Sequence, residues 1–353
     1  MPAATPRILT KEQRVGIYQQ DKTSNHWSAP AAANAAFETQ FYDRAGTTPD
    51  PNVQVDQFNN MTGRGGVMTE YDNVNIDAIT GLKTIPFTGI VTKLTAAKHL
   101  VAFFQLVTEA ATTPYAKQFK FADDVLDWAF NEGYLFTVAM DTGISGKGII
   151  LENALLNEYS LVIEPQARGV GVYMKHSGTW IGNEMNYNQT LNGTWTNPAK
   201  TFFNTTAECF APNLDITVGS DVLTSVPFYR FEFKGMNNIS DDFAVCGGKA
   251  GNYLWAPSAQ FIIDIPYNAS TCGLLGAYAS GSLAKVVSLD NGVAAHADKD
   301  FIFTNTYGHL KTNPYKYDKE YVALRLEIEI ERPTAAGAWG DIIQLTDTLD
   351  GAY

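Results

Sequence analysis

At 353 residues the chain has room for two ordinary domains and a sizeable hydrophobic core. A 45% hydrophobic fraction excludes a disordered chain, and an 18% charged fraction sits below the usual value of about a quarter. Thirty-seven acidic against 25 basic residues give a net charge of −12, and the densest basic stretch, KTNPYKYDK at 311–319, is interrupted by Asp318, which argues against a phosphate-neutralising nucleic-acid clamp.

Residues 1–66 are polar and rich in Ala, Asn, Asp, Thr and Gly, and they read as an extended N-terminal arm or loop region. Within them AAANAAFETQFYD (31–43) has the composition of a short helix. PDPNVQVDQFNNMTGRGG (49–66) reads as extended chain. From residue 67 the pattern turns strand-like, with Val67, Thr69, Tyr71, Val74 and Ile76 alternating with polar residues, and TIPFTGIV (84–91) is a second apolar run. TAAKHLVAFFQLV (95–107) predicts a helix with Thr95 as N-cap, since Leu100, Phe103, Phe104 and Val107 form one stripe at helical spacing. A second helix is expected over ADDVLDWAFN (122–131), whose early aspartates suit a helix N-terminus.

Strands are then expected at 134–140, 148–151, 160–164 and 171–174, separated by the turn signals DTGISGKG, EPQARG and HSG. A polar stretch, 185–206, precedes the second set. There VPFYRFEFK (226–234) alternates strictly, as a half-buried strand does. The two halves echo each other. PFTGIV, a helix and KQFKF in the first answer to FIIDI (261–265), NASTCGLLGAYAS (268–280) and DFIF (300–303) in the second. Each half then reaches a Gly-started meander, from Gly148 and from Gly308, and a last strand after GTWIG (178–182) or GAWG (337–340). The expected fold is mostly β: two tandem β-sandwich or barrel domains, 67–206 and 207–353, each with a flanking helix, plus the arm 1–66.

Few residues carry chemistry. The five histidines (His26, His99, His176, His296, His309) form no metal-binding spacing, and His99, beside an apolar stripe, reads as a packing or boundary residue. Cys209, Cys246 and Cys272 are odd in number and far apart, so buried free thiols are expected rather than a disulfide framework. GISGKG at 143 lacks the Ser or Thr and the following helix of a phosphate loop. Neither a membrane span nor a signal peptide is evident. The expectation is a protein with no cofactor, no metal and no enzymatic role. ALRLEIEIE (323–331) places Leu324, Leu326, Ile328 and Ile330 on one face and Arg325, Glu327, Glu329 and Glu331 on the other. Repeated around a ring, that second face would become a negative band.

The order of elements resembles the tail tube proteins of siphophages, in their longer family. The segments that carry it are FTGIVTKLTAAKHLVAFFQLV with KQFKF, then GKGIILENALLNEYSLVIEP, then residues 261–346. The resemblance is one of pattern and order over residues 68–348, without a diagnostic motif. It implies a β-barrel or sandwich whose inner strands close into a ring with those of neighbouring copies, stacked rings, and passage of double-stranded DNA without specific binding. Expected partners are the chain itself and other tail proteins such as tape measure, distal tail and terminator proteins. The expected location is the virion tail, after synthesis in the host bacterial cytoplasm. Glu327, Glu329 and Glu331 are the expected lumen-facing carboxylates. Two alternatives stand beside it: a β-sandwich carbohydrate-binding or adhesin module using exposed aromatics, and a capsid-associated structural protein.

Overall fold

Alternating apolar and polar residues with few helix-length stripes leave the chain to satisfy its backbone between strands. The computed structural model describes residues 14–20, 37–40, 42–43, 47, 49–50, 54–57, 74–77, 82–91, 93–111, 115–121, 134–144, 147–164, 174–182, 184–191, 195–196, 213–241, 253–254, 257–281, 284–290, 301–317, 322–332 and 339–347. The first strands are β1 Arg14–Gln19, β2 Phe37–Thr39, β3 Gln54–Gln57, β4 Val74–Asp77 and β5 Lys83–Ile90. Helix α1 Lys93–Phe104 follows, then β6 Gln105–Glu109, β7 Tyr115–Phe121, β8 Phe136–Ile144, β9 Lys147–Ile163, β10 Lys175–Gly182, β11 Glu184–Gln189 and β12 Trp195–Thr196. The second half opens with β13 Asn213–Val218, β14 Asp221–Leu223, β15 Arg230–Met236, β16 Ser240–Asp241, β17 Tyr253–Leu254 and β18 Ser258–Pro266. It continues with α2 Gly273–Ala279, β19 Ala284–Asp290, β20 Phe301–Phe303, β21 Gly308–Leu310, β22 Tyr315–Tyr317, β23 Val322–Ile330 and β24 Ile343–Asp347.

The chain is mostly β, and among the described residues its ladders are antiparallel apart from β12 on β2. Strand β9, 17 residues long, organises the larger sheet. Its first part pairs with β8 and β11, and its second part lies between β10 and β15. From there the sheet runs β5–β10–β9–β15–β18–β23, with β21 and β22 end to end along the far side of β23. The second sheet has the order β14–β13–β19–β20–β24–β7–β6. Each sheet therefore takes strands from both halves of the chain, joined at β9–β15 and at β24–β7.

Sheet, helix, sheet occurs twice in this order. β5 leads through α1 into β6 of the second sheet, and β18 leads through α2 into β19 of that same sheet. The core lies between the sheets. Phe103 and Phe104 of α1 meet Phe121 of β7 and Phe233 of β15, while Phe303 of β20 packs on Phe231 at 4.8 Å. Edge-to-face and tilted rings of this kind add to the area they bury.

Several local expectations need correcting. Residues 14–19 and 37–39 are not a separate arm. β1 pairs with β8 over six residues, and Ile17 and Phe37 are fully buried, because VGIY alternates like a strand with a core face. Phe37–Thr39 is strand rather than helix, with Phe37 packed on Trp195. Helix α1 begins at Lys93, which places Thr95 inside it, and it ends at Phe104. Gln105 turns the chain out with φ 63, its side chain bonding Ala102 O at 2.8 Å and accepting Tyr134 N–H at 2.7 Å. The strands expected at 148–151 and 160–164 are one strand, β9, kinked where Asn153 takes φ 52. Gly178 is not a turn but the middle of β10. A Cβ there would meet Glu158 O at 2.5 Å and Phe87 Cζ at 2.9 Å. Cys272 is exposed. The expected strand residues at 67–73 and 171–173, the helix 122–131, Cys209, Cys246, His26 and His296 lie outside the described residues.

Candidate assembly face

The face of the larger sheet that points away from the core is largely polar, with Ile90, Val162 and Ile262 interspersed. Register sets Thr88, Ser177, Ser160, Lys234, Gln260, Glu329 and His309 in one transverse row. The next row carries Lys175, Val162, Glu232, Ile262 and Glu327. Side chains on every second residue point this way because their neighbours (Phe87, Leu161, Phe233, Phe261, Ile328) are in the core. Between β10, β9 and β15 the face dips into a shallow groove lined by Ser160, Ser177, Thr179, Glu232 and Lys234.

Glu327 and Glu329 lie on this face of β23 and Glu331 just beyond its end. They do not stand as an unrelieved acidic band. His309 Nδ1 is 2.8 Å from Glu331, Lys311 Nζ is 3.6 Å from Glu329, and Arg325 forks onto both oxygens of Asp264 at 2.7 Å. Its bonds to Asp264 raise the Arg325 pKa further. Arg230 bridges Glu164 at 3.2 Å and Glu232 at 2.7 Å, and Ser160 donates to Glu232. Alternation along β23 revealed the shared face. His309 of β21 and Lys311 just after it are brought beside this face only by the register.

Two buried polar groups behind this face were not foreseen. Tyr42 O–H lies 2.6 Å from His99 Nε2 and accepts Trp180 Nε1–H at 3.0 Å, while its ring stacks on Phe87. His99 in turn stacks on Tyr159 and meets His176 edge-on, ring centroids 4.7 Å apart. Both ring nitrogens of His176 and the Tyr159 hydroxyl lack a hydrogen-bond partner among the described residues. Burial holds the His176 pKa well below the usual histidine value, and His99 lowers it further. Burial pushes the Tyr42 phenol up, against the opposing Trp180 bond. The cluster keeps His176 neutral and sealed from solvent; His99 is a packing residue, as its place beside the helix stripe suggested.

The second group is Asn237. Its amide donates to Phe103 O, a carbonyl in the last turn of α1, and to Leu156 O of β9, each at 2.8 Å. Its backbone N–H reaches Asn157 O, and Asn157 Oδ1 accepts Ile239 N–H. One side chain of the second half thus closes the helix end and the strand of the first. Strands β8 and β9 pair antiparallel up to Ile144 and Lys147, within GISGKG. Among the described residues no cluster of His, Cys, Asp or Glu is arranged to hold a metal, and no helix is long and apolar enough to cross a membrane. No protein-family model matches the chain, and no curated protein sequence matches it.

Proposed function

We propose that this chain is a structural subunit that assembles with its own copies into stacked rings, a tube of the siphophage tail kind through which double-stranded DNA passes. The observation that carries this reading is the twofold sheet–helix–sheet order, with the two units placed side by side in shared sheets at β9–β15. Such a chain behaves as two tandem tube-like domains, and three copies would present six units around a channel. The polar face of the larger sheet is the proposed lumen wall, with Glu327, Glu329 and Glu331 on it. Three of its cations, Arg230, Lys311 and Arg325, are engaged by carboxylates, so they offer little to a passing phosphate backbone. The role is non-enzymatic. The partners are the chain itself and the tape measure, distal tail and terminator proteins of a virion tail.

Negative-stain microscopy of the purified chain tests this. Rings or tubes with a central hole are the expected outcome, and a monodisperse monomer at high concentration sinks the reading. A second reading, a sugar-binding or adhesin module, draws on the exposed Tyr229, Tyr267, Tyr307 and Tyr315. It predicts a monomer that binds a glycan array.

A further inference from the structure

The twofold order can be laid on itself residue by residue. β5 and β10 form eight consecutive pairs, Lys83↔Gly182 to Ile90↔Lys175. β18 and β23 also form eight, Ala259↔Ile330 to Pro266↔Ala323. Superposed end to end, the ladders put Thr84 on Gln260, Gly89 on Ile265 and Ser177 on Arg325. The flanking segments then correspond as well. β15 lies along the outer side of β18, and the chain at Tyr42 and Asp50 lies along the outer side of β5, bridging Gly89 and Thr84. β9 lies along β10, and β21 with β22 lies along β23.

Within the chain, β9 and β15 pair with each other, from Phe231↔Ile163 to Met236↔Glu158. Their counterparts are at opposite ends of the sheet, where strand pairing stops among the described residues. Exposed aromatics gather there too. Tyr307 and Tyr315 border β21 and β22, Tyr267 packs edge-on against Tyr315, and Tyr187 feels the charge of Asp50 at the other end. Tyrosine is enriched in buried contact patches between proteins.

We infer that the β21–β22 edge of one copy joins the next copy at the edge marked by the Tyr42 and Asp50 bridges, reproducing between chains the β9–β15 junction found within one. This rests on the self-assembly reading and names its contact. Asp50 takes the place of Lys234, and Pro314 takes that of Ser160, so Asp50 of one copy meets residues 313–315 of its neighbour. Pairing the edges also gives partners to two strand edges that end the sheet among the described residues.

Six strands separate the two sites within a copy, a span on the order of 30 Å along the sheet. A short cross-link between them can therefore form only between chains. Full-length Asp50→Cys and Asn313→Cys proteins would be mixed and treated with a short bis-maleimide, each variant alone serving as control for the native cysteines. A cross-linked dimer in the mixture, well above either control, is the expected result. Rings seen by microscopy without that product overturn the junction and leave the assembly reading intact; absence of any assembly removes both. As a second measure, Tyr315→Lys should raise the concentration needed for assembly at least tenfold with an unchanged circular dichroism spectrum. Assembly at the wild-type concentration would overturn the junction.

Discussion

The helices α1 and α2 hold the same place in the chain order but do different work. In α1 Leu100, Val101, Phe103 and Phe104 are completely buried, and the helix is a wedge between the sheets. In α2 only Leu274 is fully buried, and the helix rests on β13 and β14 at the surface. One topological position has thus been filled by a core element in the first half and a surface element in the second. The lesson is that the order of elements is shared between the halves while the stabilising burial is not. Cooperative stability should be concentrated around α1.

That contrast can be broken by substitution. Phe103→Ala should cost about 3–5 kcal/mol in urea unfolding, whereas Leu274→Ala should cost about 2 kcal/mol. Equal losses would dissolve the distinction. Gly235 sharpens it, since a Cβ there would meet Phe103 Cζ at 2.4 Å. Gly235→Ala should destabilise the wild type but be better tolerated beside Phe103→Leu, measured as a double-mutant cycle. Next in size, Asn237→Ala should cost about 2–3 kcal/mol, because it leaves two buried carbonyls, one at the end of α1, without their donor.

A smaller effect concerns acid. The unfolded imidazole titrates near about 6.5, and folded His176 lies well below that. The unfolded chain therefore takes up the proton first. Stability is complete above about pH 6.5 and falls as the pH drops below it, by at most about 1.4 kcal/mol per pH unit for one proton. His176→Phe, which keeps an aromatic ring among Tyr42, Phe87 and Tyr159, should flatten this decline; an unchanged slope would exonerate the cluster. Smallest of all, Glu327→Gln should move stability by less than about 0.5 kcal/mol, since Glu327 is on the solvent side of β23. A larger loss in thermal unfolding would mean that this face matters to the subunit itself.

β23 lies close to where period two puts it, and β18 extends the apolar run at 261–265, whereas β15 starts at Arg230, four residues after the expected Val226. α1 was legible from its stripe, but its end was not, because Gln105 adopts φ 63 to start β6 and no helix-stop residue announces it. β9 was read as two strands because LENALLNEY looks like an interruption. Asn153 and Asn157 instead turn and hydrogen-bond within a continuous ladder. The shared face of Glu327, Glu329 and Glu331 was visible in the sequence. Their pairing with His309 and Lys311 depends on a register that no local pattern encodes. The Tyr42–His99–Trp180 cluster joins residues up to 138 positions apart, which puts it beyond any reading of neighbours.

The pairing of β24 with β7 has a consequence for how the chain is made. Asp347 lies opposite Tyr115, so the second sheet cannot unite its two halves until residues 343–347 have been synthesised. A nascent chain lacking residues 343–347 leaves the edges of β7 and β20 open. Such long-range closure is slow, because loop entropy must be met before the contact forms. A chain terminated before residue 343 should therefore be prone to aggregate.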